Sequence, residues 1–192
     1  MTLHYPTRLQ AEQLLIEAES CNPGPWGSHS HICAQCAEQI ARHTNNLDPD
    51  KAYVLGLLHD IGRKFGAKHL GHVYDGYHYM MSLGFDDVAR ICLTHSFCVK
   101  SLDSYVGKQD IEEQQLNELM TILGRIQYDD YDLLIQLCDC LAGSDGIMDI
   151  EARMLDVKAR YGFYPQDKWD KNIELRCYFE QLCNYGIYNI IR

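Results

Sequence analysis

Apolar residues return every three or four positions along almost the whole of this chain, and no run alternates polar with apolar residues between turns. That period marks amphipathic α-helices, whereas half-buried strands alternate every second residue. The 192 residues are therefore expected to form an all-α domain, 1–192, large enough to bury a sizeable core. The pattern predicts a first helix over 7–20, stopped by Cys21-Asn-Pro-Gly-Pro-Trp-Gly27. Ser28 or Ser30 is the expected cap of a second helix to about 44, with His31 in or near its first turn. Asp48 before Pro49 opens a third helix that runs to His59-Asp60, ended by Gly62 or Gly66. A Gly- and His-rich connection over 66–72 leads to helices over 74–83 and 86–95, then a loop over 96–110. Further helices are predicted over 111–127, 129–143, 147–161 and 166–185.

Charge narrows the partners. With 27 acidic against 17 basic residues the formal net charge is −10, which disfavours a nucleic-acid polymer. A small phosphate-bearing molecule remains compatible, because one or two bound divalent cations reverse the local field. No apolar run approaches the ~20 residues of a membrane span. The first eight residues lack a basic, apolar and small-residue signal pattern, so a cytoplasmic location and no membrane partner are expected. Nine cysteines, an odd number, argue against a disulfide framework. Cys33-x-x-Cys36 and Cys138-x-Cys140 fall on apolar helical positions and read as small buried hydrophobes.

Chemistry concentrates around His59-Asp60, which closes the apolar run Ala52-Tyr-Val-Leu-Gly-Leu-Leu58. Imidazole and carboxylate are ligands that divalent metals accept. Asp139 lies among Leu133-Leu-Ile-Gln-Leu-Cys-Asp-Cys-Leu141, where a charge needs a partner. Alone it fits a cation site or, with Asp132 seven residues earlier, a solvated acidic stripe. Beside His31, His59 and Asp60 the metal reading is preferred. His72 and His95 are the candidates for a second ion. His4, His29, His43 and His78 read as surface or satisfied core residues, and His69 fits either role.

The order His31, His59-Asp60, His72, His95, Asp139 resembles the HD superfamily of metal-dependent phosphohydrolases. His59-Asp-Ile-Gly-Arg63 resembles the version of its motif that continues Ile-Gly-Lys. His72-Val-Tyr-Asp-Gly76 and Ile91-Cys-Leu-Thr-His-Ser96 are similar to a two-metal subset that includes the iron-using bacterial diadenosine tetraphosphate hydrolases. The resemblance spans about 28–145 and implies an HD-domain helical bundle, with 146–192 as a C-terminal helical extension. It implies one divalent metal on His31, His59, Asp60 and Asp139. A second would sit on His72 and His95 with Asp60 bridging, iron or manganese being the expected metal. Hydrolysis of a phosphate ester or anhydride of a nucleotide follows, with Asp60 and Arg63 catalytic and Arg63 and Lys64 as phosphate contacts. Arg153 and Lys158 are candidates for the pocket rim. Arg63 stands where Lys is common, and the stretch between His95 and Asp139, with its insertion over 96–127, is longer than in the compact enzymes. The same ligand set also serves di-iron oxygenases, and a non-catalytic nucleotide-binding signalling domain is the third reading. The aromatic C-terminal third is either core packing or a homodimer surface.

Overall fold

Every buried side chain of the helix Pro49–Leu58 is explained by its composition: a helix apolar on all sides must sit at the centre of the bundle. Ala52 through Leu58 are all buried there. This computed structural model describes residues 4–191; residues 1–3, part of the segment inspected for a signal sequence, and residue 192 lie outside the described residues. In chain order the helices are α1 (Arg8–Cys21), α2 (Trp26–Arg42), α3 (Pro49–Leu58), α4 (Leu70–Ser82) and α5 (Asp86–Thr94). They continue as α6 (Glu113–Arg125), α7 (Asp130–Leu141), α8 (Ile150–Tyr161), α9 (Gln166–Cys183) and α10 (Ile187–Ile191). Two short 3-10 turns, Ile61–Phe65 and Leu102–Ser104, interrupt the connections. The fold is all-α: among the described residues the only pairing of strand type is one isolated bridge, Ala142 to Ile147.

α3 packs against α1, α2, α5 and α7, so its C-terminal end projects His59 and Asp60 into the middle of the bundle. Its approach to α2 is backbone-close, since a Cβ on Gly56 would stand 2.8 Å from the Ala34 Cα. Asp48 caps the helix through the amides of Asp50 and Lys51, with Pro49 in the first turn, as the sequence predicts. α5 and α7 are tied by Asp132, fully buried, which accepts from Arg90 and from the Thr94 hydroxyl at 2.7 Å. Asp132 is thus an internal ion-pair member, and the solvated acidic stripe is not formed.

The insertion over 96–127 makes its own apolar cluster, in which Phe97, Tyr105, Leu119 and Leu123 close on Leu70 and Val73 of α4 and Leu93 of α5. From its loop, the Asp110 carboxylate accepts from the amides of His69 (2.6 Å) and Gly71 (2.8 Å). It thereby caps the first turn of α4 from a distance, satisfying amides a helix start leaves open. Leu175, Phe179 and Ile187 of the last helices share the main core with Leu55 and Leu57. No helix among the described residues is long and apolar enough to cross a membrane.

Three boundaries depart from the sequence reading. α2 starts at Trp26 after Pro25, so Ser28 and Ser30 lie inside it and cap nothing. The indole of Trp26 instead bonds the Asn22 carbonyl at 2.8 Å and closes the turn. α4 starts at Leu70, which places His72 in a helical first turn rather than in a loop. Asn184, in the left-handed conformation (φ 56°), ends α9 within two residues of the predicted end at 185, and α10, which the sequence reading does not include, follows.

Candidate metal centre

Four imidazoles and two carboxylates meet beneath the C-terminal end of α3. His29 from α2, His59 at the end of α3 and Asp139 from α7 form one group. In it the Asp139 Oδ1 lies 3.0 Å from His29 Nε2 and 3.8 Å from His59 Nε2. Asp60, His72 from α4 and His95 at the end of α5 form the other, with Asp60 Oδ1 at 3.0 Å from His72 Nε2 and 3.5 Å from His95 Nε2. The second Asp60 oxygen reaches to 4.0 Å from His59 Nε2, so this carboxylate faces both groups.

The tautomers follow from the backbone. The Nδ1 atoms of His29, His59, His72 and His95 each contact a main-chain carbonyl, of Ala142 (3.0 Å), Gly56 (2.6 Å), His69 and Ile91 (3.1 Å) respectively. A carbonyl only accepts, so each Nδ1 must carry the proton and each neutral ring turns the Nε2 lone pair inward. His72 and His95 then bring two lone pairs within 3.3 Å of each other, beside a carboxylate oxygen. The Nε2 of His59 is buried and has no hydrogen-bond partner. Acceptors that face acceptors in a buried site call for a cation between them. Imidazole Nε2 with Nδ1–H held by a carbonyl is the arrangement that orients metal-binding histidines. The donor set fits a divalent ion.

Protons are a poor substitute. Burial lowers the His59 pKa to about 4, and its neighbouring carboxylates only partly offset this. Burial, then the charge of Arg63, lowers His72 as well, despite the pull of Asp60. Burial alone would raise the Asp60 carboxyl, but the Arg63 guanidinium beside it holds it well below the usual range. Burial opposes ionisation of Asp139 too, yet its pKa is held low among the imidazoles that surround it, His29 nearest.

Of the residues picked from the sequence, His59, Asp60, His72, His95 and Asp139 are brought together; His31 is not. Its Nε2 lies 4.0 Å from Glu12 on the bundle flank, with 39 % of the side chain exposed. Two residues along an α-helix turn the side chain by about 200°, so His29 and His31 cannot share a face. His29, taken from sequence as a bystander, falls on the buried stripe with Cys33, Cys36, Ala37 and Ile40. That spacing of four, seven, eight and eleven residues was the signal that distinguishes the two.

Arg63 lines the cavity over the cluster and donates its Nε to Asp60 Oδ2 at 2.5 Å. Lys64, expected at phosphate, instead donates to the Tyr79 hydroxyl at 3.1 Å and stands over that ring. The turn Ile61–Phe65 directs consecutive side chains apart, so only Arg63 of the pair faces the cluster. Arg153 lines the cavity and Lys158 is exposed elsewhere on α8. His69 also lines the cavity, while His4, His43 and His78 are exposed. The cysteines of both short motifs are free, and burial raises the Cys33 and Cys138 thiols well above their usual range.

The cluster opens into a cavity of about 320 Å³ bounded by the insertion on one side and by α8 and α9 on the other. Five cationic side chains line it, Arg63, Lys68, Arg153, Arg160 and Lys168, against the single carboxylate of Asp139. In a chain of net charge −10 this is a local reversal of sign.

A family comparison matches residues 16–96 to the HDOD domain, an HD-like family. The matched stretch runs from within α1 to just past α5 and covers under half of the chain. It contains His29, His59, Asp60, His72 and His95 but stops short of Asp139. No curated protein and no solved structure matches the chain.

Proposed function

We propose that this protein is a divalent-metal-dependent phosphohydrolase acting on a phosphate ester or anhydride of a small molecule such as a nucleotide. The observation that carries the reading is the convergence of four Nε2 atoms and two carboxylates in one cluster, which opens through His72, His95 and Asp139 into a cationic cavity. His29, His59, Asp60 and Asp139 would hold one ion, and Asp60, His72 and His95 a second, iron or manganese being suited to such nitrogen and oxygen donors. Divalent ions bound there would supply Lewis acidity and lower the pKa of water by several units.

The chain's own residues do the rest. Asp60 is kept ionised by Arg63. The Nε of Arg63 is committed to Asp60, which leaves the terminal guanidinium nitrogens to donate to a non-bridging phosphoryl oxygen. That contact strengthens as charge develops on the oxygen, so it favours the transition state over the bound substrate. Insertion and C-terminal helices wall the cavity, which limits bulk water and strengthens each of these charges.

The test pairs metal content with turnover. Purified protein is expected to retain a divalent metal and to release phosphate from a nucleotide panel assayed with iron, manganese, cobalt and magnesium. Replacing His29 or His59 with Ala should cost metal affinity at least ~10-fold and abolish release, whereas His31→Ala should keep both. Nucleotide binding without turnover in any metal would overturn the reaction and leave a binding domain. Oxygen consumption with an organic substrate would point to the oxygenase chemistry instead.

A further inference from the structure

The cavity wall opposite the cluster is not a chance rim. Arg153, Met154, Val157, Arg160 and Tyr161 line it from α8, spaced by one, three and four residues. That spacing is one continuous helical face, so α8 presents a whole side to the cavity. Lys168 joins it from the second residue past the start of α9, one turn before Asn172. The cations on this wall outnumber their compensating charge. Arg153 (3.3 Å) and Arg160 (3.0 Å) share one carboxylate, Asp156. The Lys168 ammonium donates to the Ser96 carbonyl at 2.8 Å, a neutral partner. By contrast, Arg63 and Lys68 each have a carboxylate of their own, Asp60 and Asp75.

We infer that α8 and α9 supply a second anion subsite, built from Arg153, Arg160 and Lys168, which selects substrates carrying a second phosphoryl group besides the one bound over the cluster. The inference rests on the proposed phosphohydrolase reading for the identity of the first phosphoryl group. Three positive side chains, with Asp156 between the two arginines and Asp167 beside Lys168, still leave an excess that a phosphoryl group can neutralise. Guanidinium forks match phosphoryl oxygens two at a time, and Asp156 now occupies the position such oxygens would compete for. A monophosphate engages the cluster and leaves this wall unsatisfied. A diphosphate, or a molecule with two separated phosphoryl groups, spans both. The C-terminal extension is then a specificity wall in addition to core packing.

Calorimetric titration of the full-length, metal-loaded chain, freed of excess metal, with methylenediphosphonate and with methylphosphonate tests this without hydrolysis. The parent should bind the diphosphonate at least roughly tenfold more tightly, the worth of one or two charge-assisted hydrogen bonds. Arg153→Gln should cost the diphosphonate roughly tenfold more affinity than it costs the monophosphonate. Arg160→Gln, on a half-exposed side chain, should repeat that bias. Equal losses for both ligands, or none, would overturn the subsite. Such selectivity in a chain that hydrolyses no phosphate ester keeps the subsite and removes the reaction. Turnover without the selectivity keeps the reaction and removes the subsite.

Discussion

The ring of His59 is walled in on every side, its Nδ1 spent on the Gly56 carbonyl and its Nε2 turned toward two carboxylates. In the metal-free chain burial holds its pKa near 4, against about 6.5 when unfolded. Between those values the unfolded chain binds a proton that the folded chain refuses. The stability contributed by a neutral His59 is therefore whole above about pH 6.5 and is lost as pH falls toward 4. The gap is on the order of 3 kcal/mol, and the low-held Asp60 and Asp139 add losses of the same sign further down. We expect the Tm of the metal-free protein to drop between pH 7 and pH 4.5, and His59→Asn to flatten part of that slope. A Tm that stays level across the range would contradict a neutral, buried His59. Residue chemistry was legible in sequence where it came with local context: His59-Asp60 ends an apolar run, and Asp139 sits among leucines. His31 falls outside the cluster and His29 inside it because α2 starts at Trp26 after Pro25, ahead of the serines expected as caps. Arg63 and Lys64 are adjacent in sequence, and only the direction of a 3-10 turn separates their roles.

Elements position the candidate ligands through close backbone contacts. The turn Ile61–Phe65 lies so near α4 that a Cβ on Gly62 would stand 1.9 Å from the His72 carbonyl and 2.5 Å from the Gly76 amide. Both are main-chain atoms of α4, so a methyl group there moves the helix that carries His72. Gly62→Ala is expected to destabilise the fold by about 1–3 kcal/mol and to weaken metal binding, read by denaturant unfolding and metal titration. Unchanged affinity and stability would mean that the turn and α4 are not held against each other. The helices themselves were readable because 3.6-residue periodicity and the Asp48-Pro49 start are local signals. The capping of α4 by Asp110 was not, since it joins residues some forty positions apart. Nor was the short helix α10, which follows the left-handed Asn184 that ends α9.

At the scale of the molecule, two features that the sequence scatters become one. Acidic residues dominate the chain, yet the cavity over the cluster is lined by five cations and by His72, His95 and Asp139. Composition reports only the sum, so the reversal of sign could not be read before α8 and α9 were folded back over the cluster. The account stands on one claim: the inward Nε2 atoms and the two carboxylates hold a divalent cation. Anomalous diffraction at the metal edge from crystals of protein loaded with manganese tests it directly. The account predicts density bonded at about 2.0–2.2 Å to Nε2 of His29 and His59 and to carboxylate oxygens of Asp60 and Asp139. Crystals grown in excess manganese that show no anomalous peak within this cluster would contradict it.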